Sequence, residues 1–125
     1  MHETVIAQQV LRAILAAMEQ RGATAVKAID VEIGQLEALG TKELQAAFDI
    51  VAKGTPAEDA VLQVKLIPAT GFCRSCSEER PFEIPRTHGH GEPLEILCPE
   101  CGSPLELRGG RGFTVQRATM VLEDP

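Results

Sequence analysis

Cys73-Arg74-Ser75-Cys76 and, after a gap of 21 residues, Cys98-Pro99-Glu100-Cys101-Gly102 are the stretches on which the reading of this chain turns. Each C-x2-C pair is a tight turn that directs two sulfurs to one point, and two such knuckles complete the tetrahedral thiolate shell that zinc accepts. The gap is slightly longer than the common zinc-ribbon range and compatible with it. Thiol redox or iron electron-transfer chemistry is the competing reading. A lone C-x-x-C ahead of a helix would favour redox, but here there are two pairs and neither precedes a helical pattern. Four thiolates leave no coordination position for water, so the site reads as structural zinc and not as a catalytic metal.

Around these knuckles, from Gly71 to Gly112, the sequence is rich in Pro, Gly, Glu and Arg and poor in large apolar residues. Hydrophobic burial alone would not hold such a segment. Zinc binding can supply about 10–16 kcal/mol in small metal-folded modules, enough to replace a missing core. A zinc ribbon also raises the question of nucleic acid. Between Phe72 and Arg111, however, five Arg face seven Glu, a net of −2, and the whole chain of 125 residues carries −6 with no Trp or Tyr. Phosphate backbones demand concentrated positive charge, and single strands add aromatic platforms, so nucleic-acid binding is excluded.

The flanks read as one α/β unit. Ile6, Val10, Ile14 and Met18 recur at helical spacing from Thr4 to Arg21, with Gly22 as the stop. Lys27 to Ile33 alternates, with Ile29, Val31 and Ile33 on one face of a strand. Gly40-Thr41 opens a second helix carrying Leu44, Ala47, Phe48 and Val51, with Thr41 as its expected cap. Val61 to Ile67 is a second strand ended by Pro68, and Phe113 to Leu122 is a third. An isolated strand is unstable, so the third must return to the first sheet, which makes the cysteine segment an insertion. The expected fold is α+β: two helices packed on a small three-stranded mixed sheet, with an inserted zinc-ribbon-like four-cysteine domain. The expected boundaries are 1–69, completed by 112–125, for the α/β domain and 70–111 for the zinc domain. No stretch approaches the roughly 20 apolar residues of a membrane span. Met1-His2-Glu3 lacks the charged and apolar regions of a signal peptide, and the expected location is the cytoplasm.

His2 would ordinarily be a frayed terminal residue. Its chemistry offers more. The Met1 amine, the His2 imidazole and the backbone amides of His2 and Glu3 can converge as nitrogen ligands on one ion, an arrangement favoured by square-planar nickel(II) or copper(II).

Several motifs now occur in order along nearly the whole chain: Met1-His2-Glu3 leading into a helix, Val31-Glu32-Ile33-Gly34-Gln35-Leu36, Ala46-Ala47-Phe48, Lys53-Gly54-Thr55-Pro56-Ala57-Glu58, and the two C-x2-C pairs followed by Gly110-Arg111-Gly112. In this the chain resembles the hydrogenase nickel incorporation family, HypA and its relative HybF. The resemblance implies a non-enzymatic nickel metallochaperone, with Ni(II) as cargo and Zn(II) as structural metal. It implies His2 as the essential nickel ligand with Glu3 contributing through its amide, beside the Met1 amine and the zinc shell of Cys73, Cys76, Cys98 and Cys101 read from the residues above. The implied partners are a HypB-type GTPase, the [NiFe]-hydrogenase large subunit and, in some organisms, urease maturation proteins. Two histidines of the insert, His88 and His90, are candidate additional nickel ligands or residues of an exposed loop. A monomer and a homodimer both agree with the sequence. The alternative from another class is a zinc-ribbon interaction or regulatory module without nickel cargo.

Overall fold

In the computed structural model of the protein, residues 2–82 and 96–122 are described, except for the side chain of His2. The chain forms two compact units: residues 1–32, 39–65 and 113–125 make the first, and 33–38 with 66–112 the second.

The first unit begins with helix α1, His2–Arg21, two residues longer at its start than the apolar stripe alone predicts. Ile6, Val10, Ile14 and Met18 are buried along one face, with Ala7 beside them. They pack against helix α2, Thr41–Val51, whose Leu44 and Phe48 are fully buried. Thr41 does not cap α2. The cap is Gly40, whose carbonyl accepts from Leu44 N at 2.9 Å, and no side chain completes it. Thr41 is the first helical residue, one position too late to act as the half-in flanking group that a cap must be.

Strand β1 runs Ala23–Gly34 and strand β2 runs Val61–Ile67; with the last strand, β6 (Phe113–Leu122), they form a sheet in the order β2-β1-β6. Thr24 Oγ1 donates to Val121 O at 3.3 Å, while Gln116 Nε2 meets Glu32 Oε1 at 3.2 Å, so β6 runs antiparallel to β1. Adjacent β1 and β2 are joined through α2, the crossover that a parallel pair needs, and the sheet is mixed. The returning C-terminal strand is therefore as expected, and the fold class holds. Ile29 and Val31 fill the inner face of β1 as the alternation predicts.

Gln45 ties α2 to the start of β2. Its Oε1 accepts from Leu62 N at 2.7 Å and its Nε2 donates to Ala60 O at 3.3 Å. Between these elements Lys53-Gly54-Thr55-Pro56-Ala57-Glu58 closes on itself. Thr55 Oγ1 donates to Ala52 O at 2.6 Å, and Gly54 N donates to a Glu58 carboxylate oxygen at 2.8 Å.

The second unit is built on a smaller sheet of strands β3 (Thr70–Cys73), β4 (Glu78–Pro81) and β5 (Glu106–Gly109), in the order β4-β3-β5. Both pairings are antiparallel. Residues 33–38 follow the first unit in sequence but fold with the second, and a backbone clamp explains why. Gly34 N donates to Gly112 O at 2.9 Å, Leu36 N donates to Gly110 O at 2.7 Å, and Gly112 N donates to Glu37 Oε2 at 2.6 Å. Gly34 lies so close to the Gly110 carbonyl that a Cβ there would overlap it.

The buried apolar residues of this unit are few: Ile33, Ala69, Cys73 and Cys98 among those described. Two of these four are the candidate ligands themselves. Hydrophobic burial contributes little here, as the composition of the segment indicates.

Candidate metal centre

Cys73 ends β3, and the chain turns at once into the first knuckle. Ser77 N donates to Cys73 O at 2.7 Å, Cys76 N approaches Cys73 Sγ at 3.4 Å, and Ser77 closes the turn with φ 58°. The second knuckle repeats the pattern. Gly102 N donates to Cys98 O at 2.8 Å, and Gly102 has φ +77°. That left-handed conformation costs a glycine nothing and an L side chain about 1–2 kcal/mol, so the first knuckle carries a small strain at Ser77 that the second avoids. The flanking bridge between Leu97 and Pro104, with Cys98 N donating to Ser103 O at 2.7 Å, holds the second turn in place. Ser75 and Ser103 hydroxyls, 3.1 Å apart, join one knuckle to the other.

The four sulfurs all lie within 4.8 Å of one another. Cys73 Sγ is 3.4 Å from Cys101 Sγ, and Cys76 Sγ is 4.0 Å from Cys98 Sγ. A disulfide would bring two of them to about 2.05 Å, and none is formed. Bonds of about 2.3 Å to a central zinc require tetrahedral sulfurs roughly 3.8 Å apart. The spacing brackets that value. The donor set, four soft thiolates from paired knuckles, fits zinc.

Crowding four thiols divides their acidities. A hydrogen bond from Arg80 pulls the Cys76 thiol down, but the Cys101 and Cys73 sulfurs, burial and Cys98 outweigh it and push Cys76 up to about 12. The Ser103 hydroxyl and backbone, with Cys73 and Cys76, bring Cys101 down to about 6. Burial opposes ionisation of Cys98, yet the Cys101 and Glu100 backbone N–H groups lower its value overall. Without a cation the cluster cannot hold four negative charges, and a divalent metal supplies what is missing. Cys73 and Cys98 are buried, whereas Cys101 is exposed.

Glu106 accepts from Arg74 Nε at 2.9 Å and lies 3.8 Å from Arg108, which holds its carboxyl below the usual range. Arg108 stacks over the Phe72 ring at 4.5 Å, on the sheet face opposite Cys73. Arg80 is different. Its strand register puts it on the Cys73 side of the sheet, where the Cys76 and Cys98 sulfurs favour its charged form, a placement that the spacing of cysteines does not signal.

Of the sequence-derived nickel residues, His2 and Glu3 open α1. Met1, His88 and His90 lie outside the described residues, as does the His2 side chain.

A two-helix α/β unit with a four-thiolate knuckle module defines a small protein with a metal-binding site. The family model described as "Hydrogenase/urease nickel incorporation, metallochaperone, hypA" matches residues 1–120, and the chain belongs to the HypA family. It is 34% identical to the hydrogenase maturation factor HypA of Methanococcus maripaludis strain C7, over 99% of this chain and 98% of that one. It is equally 34% identical to the factor of the same name from Methanocaldococcus jannaschii, over 99% of this chain and all of the relative. Among solved structures, that of the Ni metallochaperone HypA from Helicobacter pylori has the same fold, with TM-score 0.64 at 17% identity, covering 98% of this chain and 100% of that chain. A second HypA structure has TM-score 0.66 at 20% identity, covering 98% of each.

Proposed function

We propose that this protein is a non-enzymatic nickel carrier, binding Ni(II) at its own N-terminus and delivering it, with a HypB-type GTPase, to the large subunit of [NiFe]-hydrogenase. The observation that carries the reading is membership of a nickel-incorporation family along 1–120, together with full-length relatives named for hydrogenase maturation. The nickel ligands in this reading are the Met1 amine, the His2 imidazole and the amides of His2 and Glu3.

The start of α1 at His2 supports this choice. The first four N–H groups of a helix have no intrahelical partner, so the amides of His2 and Glu3 can give up their protons to a metal without breaking the helix ladder. Nitrogen donors of this kind suit nickel, while the thiolate set suits zinc, so cargo and resident metal are sorted by ligand type. Zn(II) held by Cys73, Cys76, Cys98 and Cys101 is structural in this reading. Four free thiols in close pairs are supported by a reducing compartment, the cytoplasm.

The partners are tested by capture from cells making hydrogenase. The full chain is expected to recover a GTPase and a hydrogenase large subunit, and His2→Ala is expected to keep both partners while lowering the nickel content of the hydrogenase. Capture without either protein, or normal hydrogenase nickel with His2→Ala, contradicts the delivery role. A His88→Ala/His90→Ala variant in the same assay reports whether the insert histidines contribute.

A further inference from the structure

We propose that Arg80 is the outer-sphere counter-ion of the four-cysteine site, donating to its sulfurs and setting how tightly the metal is kept. The assignment rests on the reading of that site as a zinc centre.

The strand register places it. In the β3–β4 pair Glu78 faces Cys73 and Arg80 faces Gly71, so Arg80 stands on the same side of the sheet as Cys73. The residue across from it has no side chain, and Leu105 fills the place a Cβ would take there. From that side the sulfurs of Cys76 and Cys98, one from each knuckle, favour its charged form.

Its burial separates Arg80 from the other arginines nearby. Only 23% of its side chain is exposed, against 81% for Arg74 and 47% for Arg108. The Nε–H is buried with no hydrogen-bond acceptor. A cation in that position needs an anion, and Glu78 is a poor one. That carboxylate takes a terminal nitrogen at 3.0 Å but is itself 62% exposed, which makes the pair a surface ion pair of little strength.

The remaining candidate is the cluster. Four thiolates about one divalent ion carry a net charge of −2, which a cation on the same side of the sheet offsets. A planar guanidinium donates to several acceptors from one rigid fork, which suits a group bridging sulfurs of both knuckles. A cation beside the thiolates offsets their mutual repulsion and weakens the protons that compete with the metal for them.

The test uses the full chain as wild type, Arg80→Gln and Arg80→Lys, each zinc-loaded and competed with a chelator, then reconstituted with Co(II). Residue-level NMR of Thr70–Pro81 and Glu106–Gly109 checks the fold. Loss of an outer-shell partner typically weakens metal binding tenfold to a hundredfold, about the loss expected for Arg80→Gln. Its thiolate-to-cobalt absorption should move to longer wavelength, because sulfurs without a donor release electrons more easily. Arg80→Lys, which keeps the charge and loses the fork, should fall between. Zinc held by Arg80→Gln as tightly as by wild type, with unshifted cobalt bands, overturns the assignment while leaving the zinc reading intact. A wild-type chain that takes up no zinc overturns both. Should Arg80→Gln fail to fold even with excess zinc, the lysine variant decides: cobalt bands identical to wild type would overturn the assignment.

Discussion

Cys76 and Cys101 begin with opposite tendencies toward zinc. Cys101, near 6, is already a thiolate at neutral pH and becomes protonated as pH falls through that value, whereas Cys76, near 12, holds its proton until a metal displaces it. Zinc uptake near pH 7 must therefore expel the Cys76 proton, and below about pH 6 the Cys101 proton must leave as well. Chelator competition is expected to show zinc affinity rising with pH, with the steeper slope on the acid side. A flat profile would mean that the thiols are not divided in this way. Two glycines test the backbone at the same scale. A Cβ at Gly102 meets open space, so Gly102→Ala should cost only the left-handed conformation, about 1–2 kcal/mol, and zinc should stay bound. At Gly34 the added carbon would strike the Gly110 carbonyl, and about 3 kcal/mol or more is expected. Denaturant melts of the two variants compare them, and a Gly34→Ala protein as stable as Gly102→Ala would contradict the clamp between Gly34–Glu37 and Gly110–Gly112.

At the level of elements, what was legible in the sequence is what periodicity reports. The stripe Ile6-Val10-Ile14-Met18 and the alternation of Ile29 and Val31 are apolar patterns that the structure buries, while of the strand Val61–Ile67 it buries Leu62 and leaves Leu66 exposed. The knuckles were legible because a C-x2-C turn is local. The clamp was not, since it joins residues about 75 positions apart, through backbone atoms and the Glu37 carboxylate, and nothing local in either glycine motif signals its partner. Arg80 was hidden for the same reason: its neighbours follow from pairing with Gly71, not from spacing along the chain. The dependence of β3, β4 and β5 on metal is testable. Cys98→Ser is expected to lose zinc and the dispersed NMR signals of these strands while α1 and α2 persist. An ordered β3–β5 sheet in the zinc-free variant would show that the strands hold without metal. In the first unit, Phe48→Ala should cost about 3–5 kcal/mol by denaturant unfolding, as expected for an aromatic removed from a closed core.

For the whole molecule, the fold follows from composition. Two stretches rich in apolar pattern make the helix–sheet unit, and the poor stretch between them folds around thiolates. The family assignment adds what composition cannot, a cargo. In the proposed function the cargo is held by the first three residues, through amine, imidazole and two amides as nitrogen ligands. The measurement that bears most directly on this is calorimetric Ni(II) titration of the untagged protein, of His2→Ala, and of a chain extended by Gly-Ser before Met1, each checked for full zinc content. Extension converts the Met1 amine to an amide, and the other ligands remain. One nickel site above the resident zinc is expected in the untagged protein, lost in His2→Ala and in the extended chain alike. Nickel bound by the extended protein as tightly as by the untagged one would contradict the account, because the amine would then be no ligand and the N-terminal site would not exist in the form proposed.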